Sequence, residues 1–193
     1  MAFDTPTNRK SLIDIFPDLA KDSNFKILSD CSYTYNCIAW AMGYDDRWVD
    51  VSTAPGHWWP SGVVKNLTPK ALIAAFEAEG FELSDNCMPE TGYSKVVLYK
   101  KADSEEWTHA ARIITADIEY SKFGPAWDGQ HSHNVLCNTS SGQEHQSYGV
   151  AYAYMKRGNT AEHRKCVTGK MTVNIDNLNK LIAQLGDILT SKV

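Results

Sequence analysis

Three β-rich runs lie close together near the middle of the chain. Ser94–Lys100 (SKVVLYK), Thr108–Thr115 (THAARIIT) and Ile118–Lys122 (IEYSK) are joined only by the polar turn Lys101–Glu106 and the tight turn Ala116-Asp117. Connections this short make successive strands hairpin partners, so the runs predict an antiparallel meander. Tyr148–Lys156 (YGVAYAYMK) reads as a fourth strand. Between the third and fourth, residues 124–147 read as a long polar loop, a length that in a compact domain usually marks function or mobility.

Helical segments surround this run. Tyr35–Gly43 (YNCIAWAMG) is too continuously apolar for a surface strand. Ala39, Ala41 and Met42 favour helix, Gly43 is a natural stop, and Thr34 or Asn36 can cap the start. Cys37 then falls in the first turn of a short buried helix. Thr68-Pro69 opens a second helix, with Leu72, Ile73 and Phe76 inward and Gly80 at its end. Leu12–Phe16 before Pro17 suits a short helix or an extended arm, and Phe25–Leu28 a short strand or a buried contact. Residues 44–67 read as a loop rich in Asp, Trp, Pro and Gly. The order of elements predicts an α+β fold.

The organisation expected is a domain over residues 1–157 and an extension over 158–193. In the extension a polar linker leads into apolar positions at helical spacing, Ile175, Leu178, Leu181, Ile182, Leu185 and Ile188-Leu189. This C-terminal amphipathic helix packs on the domain's own sheet, the commoner outcome, or docks a partner protein or a second copy.

Charge and composition remove several classes of function. The 193 residues carry a net charge of −4, with no basic run or stripe, which argues against nucleic acid and against an acidic membrane surface as partners. The N-terminus has no apolar leader and no run is long enough to span a bilayer, so a cytoplasmic location is expected, with signal-independent export open. Five cysteines, scattered and without C-x-x-C spacing, argue against a disulfide framework and a zinc ribbon. His131, His133, Cys137 and His145 invite a metal reading, but their spacing matches no common structural zinc pattern. Neither a metal nor a cofactor is expected.

The chemistry on offer is that of a thiol. A thiol attacks as thiolate, so its pKa must fall from about 8.5 towards neutrality. The start of a helix and a neighbouring imidazolium both lower it, and Cys37 has the first. His109, near the start of a strand that otherwise reads as core, is the leading candidate for the second. A third group must orient that imidazole, and Asp128 and His131 are both candidates. Trp58 and Trp59 either line a substrate cleft or cap the core. Cys37 can equally be read as a buried structural thiol and His109 as a satisfied core histidine.

Cysteine at a helix start, histidine at a strand start and a polar residue after the next strand is an order that resembles the NlpC-type and CHAP-type papain-like cysteine hydrolases. More closely, the chain resembles an uncharacterised bacterial domain family of that kind. The motifs that carry this are Y-N-C-I-A-W-A at Tyr35–Ala41, W-W-P at Trp58–Pro60, A-F-E-x-x-G-F at Ala75–Phe81 and G-Y-x-K-V-x-L-Y at Gly92–Tyr99. They continue with T-H-A-A-R at Thr108–Arg112, S-K-x-G-P-x-x-D-x-x-H at Ser121–His131 and Y-G-x-x-x-x-Y-M-K-R at Tyr148–Arg157. The stretch after His131 is longer and more polar than that pattern, and residues 173–193 lie outside it.

The resemblance implies a papain-like fold with Cys37 as nucleophile, His109 as base and His131 as the orienting residue. Its mechanism class is attack of the thiolate on a carbonyl or amide carbon, with His109 protonating the leaving group. The Cys37 backbone N–H would be one oxyanion donor, with Tyr33, Tyr35 and Asn36 as candidates for the second. The expected function is a thiol hydrolase acting on a peptide or amide: a cysteine peptidase, amidase or deamidase. If it cuts cell-wall peptides it would need an export route, as antibacterial effectors have. An acyltransferase or transglutaminase-like enzyme would use the same dyad, and a binding module on the same scaffold would use neither residue.

Overall fold

Pairing along the chain makes the predicted meander the centre of a larger sheet. The computed structural model describes residues 3–137 and 147–159. In chain order the elements are α1 (Pro6–Ile15), β1 (Lys26–Ile27), α2 (Cys37–Met42), β2 (Trp48–Val49), β3 (His57–Trp58) and α3 (Pro69–Ala78). There follow β4 (Glu82–Ser84), β5 (Tyr93–Lys100), β6 (Trp107–Ile113), β7 (Ile118–Lys122), β8 (Asp128–Ser132) and β9 (Val150–Gly158). All belong to one unit, Met1–Gly158. The C-terminal helix expected over residues 175–190 lies outside the described residues.

Seven strands form one sheet in the order β1-β8-β7-β6-β5-β9-β4, and every neighbouring pair is antiparallel. The fold is α+β, as its residue pattern implies. β2 and β3 form a separate parallel pair of two residues each, inside the segment expected to be a loop.

One part of the expectation is corrected. Residues 124–147 are not one loop, because Asp128–Ser132 pairs with β7 on one side and β1 on the other. Its sequence, DGQHS, lacks the β-branched and aromatic residues that mark a strand, so tertiary pairing decides it. The fourth predicted strand is present as β9. β9 returns to the other side of β5 and pairs there from Tyr93↔Gly158 to Lys100↔Val150.

β5 is buried on both faces, with Lys95–Tyr99 all inaccessible. Alternation therefore divides its side chains between two apolar layers. Val96 and Leu98 join Ala110, Met155, α2 and α3 in the larger one. Val97 and Tyr99 join Ala111 and Ile113 in the other. A third cluster gathers Leu12, Phe16, Leu19, Phe25, Ile27, Phe123 and Leu136 around α1 and β1.

The helix ends follow local chemistry. Thr5 and Thr68 cap α1 and α3 by accepting from Asn8 and Ala71 N–H, each with proline at the helix start. Gly43 ends α2 at φ +102°, a conformation that side chains with a Cβ rarely adopt. Arg157, from β9, donates to Met42 O at 2.7 Å and to Glu79 O at 3.0 Å, closing the ends of α2 and α3 together.

Candidate active site

Asn36 sets up the first half of the site. Its Oδ1 accepts from Ala39 N–H at 3.0 Å and from Val49 N–H at 3.2 Å, while Nδ2 donates to Val49 O at 2.7 Å. One side chain thus caps α2 and clasps it to β2. Of the two caps the sequence allows, Asn36 serves. Its amide is turned to these partners and not to an oxyanion.

Cys37 follows as the first residue of α2, partly exposed and packed against the larger core layer. Burial pushes its thiol up to about 11, while the backbone N–H of Ala110, the N–H groups of Ile38 and Cys37, and the Lys122 ammonium act the other way. The lowered thiol pKa expected at a helix start is not what the structure holds. A six-residue helix has a weak macrodipole, and desolvation of the thiolate outweighs it.

The contact with Ala110 locates the thiol on the sheet. β6 and β7 pair only at Arg112↔Tyr120 and Ile113↔Glu119. Beyond that, at Ala110 on one strand and Lys122 on the other, they are unpaired, and α2 lies against both. Cys37 is at this gap, close enough to Tyr148 that its charge adds to the burial that raises the Tyr148 phenol.

His109 is fully buried on β6, next to Ala110. Cross-strand register pairs it with Tyr99, which places its side chain on the sheet face opposite that of Ala110 and α2. The imidazole thus lies on the face of the sheet away from α2. Nε2 of His109 lies 3.0 Å from Ser121 Oγ, and Ser121 Oγ lies 2.8 Å from His131 Nε2. His131 Nδ1 in turn is 2.9 Å from the carbonyl of Ser132. Nδ1 of His109 is buried and has no hydrogen-bond partner among the described residues, Cys37 included. Burial, reinforced by His131, holds His109 well below the usual imidazole range, so the ring is neutral.

Of the two candidates for the third residue, the sheet brings only His131 into this chain of contacts. It stands opposite Glu119 across the β7–β8 ladder, whereas Asp128 stands opposite Lys122 and so faces the other way. The Asp128 carboxylate instead accepts from Tyr35 Oη at 3.0 and 2.9 Å. Tyr35 is itself buried and stacked on Trp40, so neither residue of this pair faces His109. Tyr33 is exposed. Ser121 did not emerge from sequence reasoning. The only signal is register: alternation along IEYSK puts it between His109 and His131 on one face.

Trp59 is buried at 5% exposure, stacked on Trp107 in the core, so it serves burial and not a cleft. Trp58 is half-buried, edge-on to Tyr44 with the Arg47 guanidinium above it. His133 is bonded to the buried Glu119, and Cys137 donates to Asn134 Oδ1. Among the described residues no three His, Cys, Asp or Glu side chains are grouped so as to hold a metal ion.

The family model described as a domain of unknown function (DUF7689) matches residues 26–156. The chain belongs to the DUF7689 family. The DUF7689 match begins at β1 and runs to within two residues of the end of β9, so it contains Cys37, His109, Ser121 and His131. No curated protein and no solved structure matches the chain. Among the described residues, no helix of this DUF7689 protein is long and apolar enough to cross a membrane.

Proposed function

We propose that this protein is a papain-like thiol hydrolase that cleaves an amide bond, with Cys37 as nucleophile and His109 as general base. The observation that carries the reading is the buried, unpartnered Nδ1 of His109, on the residue next to the one whose N–H meets the Cys37 thiol. Other buried atoms, Trp40 Nε1 and Trp59 Nε1 among them, also lack partners among the described residues; what singles out His109 Nδ1 is its place beside the Cys37 contact.

The resting pair is neutral on both sides. A thiol at about 11 has only about one part in ten thousand ionised at pH 7. The thiolate is therefore made during attack. His109 Nδ1 takes the Sγ proton as sulfur bonds to the amide carbon, then delivers it to the leaving nitrogen as the C–N bond breaks. Water hydrolyses the resulting thioester by the same base. This order requires Sγ and Nδ1, which lie on opposite faces of the sheet, to meet across the gap between β6 and β7 on substrate binding.

The neutral resting state of both groups equally favours a second reading, a binding module on the same scaffold. Iodoacetamide capture of Cys37, followed by mass spectrometry between pH 6 and 9, separates the two. The hydrolase reading expects capture at pH 7 faster than for Cys137, whose thiol burial also raises to about 11, and at least tenfold slower in His109→Ala. Equal rates and no response to the variant favour the module. Given a reactive Cys37, turnover of a peptide library with and without added amines tells hydrolysis from acyl transfer.

A further inference from the structure

We propose that Ser121 is the residue that positions His109, fixing its tautomer through a hydroxyl bridge to His131. This rests on the reading of Cys37 and His109 above, and assigns the orienting role that a direct imidazole–imidazole contact would otherwise fill.

The direction of every proton follows from one end of the chain. Ser132 offers a backbone carbonyl, which only accepts, so His131 Nδ1 carries the hydrogen of that 2.9 Å bond. A neutral imidazole has one N–H, and burial lowers the pKa of His131. His131 Nε2 is then an acceptor, and the Ser121 hydroxyl hydrogen points to it across 2.8 Å. The remaining lone pairs of Ser121 Oγ can only accept, so the 3.0 Å bond to His109 is donated by Nε2–H. That leaves Nδ1 of His109 as the bare base, which is the atom without a partner.

The bridge is rigid. Ser121, His109 and His131 are all fully buried, on three neighbouring strands of one sheet, so no water competes for the hydroxyl. Two facing imidazoles could settle their tautomers in several ways. A hydroxyl held between them, with one ring tied to a backbone carbonyl, leaves one. The orienting group is also uncharged, unlike the carboxylate of a serine-protease triad. It fixes direction without stabilising imidazolium, which accords with a base that is neutral at rest.

The test reads the tautomer directly. Two-bond nitrogen–proton spectra of 15N-histidine-labelled protein, with His109 assigned through His109→Gln, should show Nε2 protonated and Nδ1 bare in the native chain. In Ser121→Ala the Nδ1–H form should appear, and Cys37 alkylation at pH 7 should slow about tenfold or more. Ser121→Thr, which keeps the hydroxyl, should restore both. Native spectra elsewhere in the sheet show that the variants fold. A protonated Nδ1 in the native chain, or an unchanged tautomer in Ser121→Ala, overturns the assignment. A tautomer that shifts as expected while alkylation ignores both Ser121→Ala and His109→Ala upholds the bridge and defeats the hydrolase reading instead.

Discussion

Tyr148 lies flat on the imidazole of His109, with ring centroids 3.6 Å apart and planes within 3° of parallel. Its position depends on the next residue. Gly149 has φ +91°, and a Cβ there would sit 1.9 Å from Lys100 O, a backbone atom that cannot turn aside. The start of β9 and the cover over His109 therefore hang on one missing methyl group.

Gly149→Ala should cost more than about 3 kcal/mol, because it combines a forbidden backbone angle with a main-chain clash. Urea unfolding measures it. A loss within about 0.5 kcal/mol would mean that β9 begins elsewhere and that Tyr148 does not lie on His109.

Acid should weaken the fold before any carboxylate titrates. His109 and His131 are held neutral by burial, with folded pKa values below the ordinary 6.5. The unfolded chain takes up protons near 6.5 that the folded chain refuses, so stability falls as pH drops below that value. His133 has the opposite sign: its bond to Glu119 raises its pKa, a contribution present in acid and lost as pH rises through its folded value. His109→Gln should flatten the dependence between pH 6.5 and 5. An unaltered slope would place the burden on other groups.

Base should act through Cys37. Its folded thiol is raised to about 11, so the unfolded thiol ionises first and stability declines above about pH 9. Thiolate absorbance in the folded protein, taken as the difference from Cys37→Ala, should rise only near pH 11. A midpoint near 8 would restore the preformed thiolate that the sequence led one to expect.

Arg157→Lys should be nearly as damaging as Arg157→Ala. The guanidinium spans the carbonyls of Met42 and Glu79 and lies over the Phe81 ring at 4.3 Å, which an ammonium cannot do at once. About 2 kcal/mol is expected for either change. Thermal unfolding of both variants checks it, and a lysine variant as stable as the native chain would show that one carbonyl suffices.

Much of this was legible before any coordinates. The Asn36 cap, Cys37 at the helix start and the Gly43 stop follow from local preferences that operate within a few residues. The strands of the meander follow from β-branched and aromatic runs. What escaped depends on pairing between distant residues. DGQHS becomes a strand because β7 and β1 flank it, and that decides that His131 and not Asp128 faces His109. The facing of His109 itself turns on its register with Tyr99, and no pattern in THAAR tells one face from the other when both are buried. The thiol's raised pKa was hidden for a similar reason. A helix start is visible in sequence, whereas the amount of water that packing removes is not.

β9 has one more implication, for the order in which the molecule can be assembled on the ribosome. Among the described residues it is the last strand made, yet it fits between β4 and β5, with partners fifty or more residues earlier in the chain. Until it emerges, β5 presents a bare edge with Val96, Val97 and Leu98 beside it, the kind of surface that recruits strands from other molecules. Such late, long-range closure is slow by nature. Chains arrested before Val150 should accordingly be captured by holdase chaperones, and release should coincide with the emergence of β9 from the ribosome.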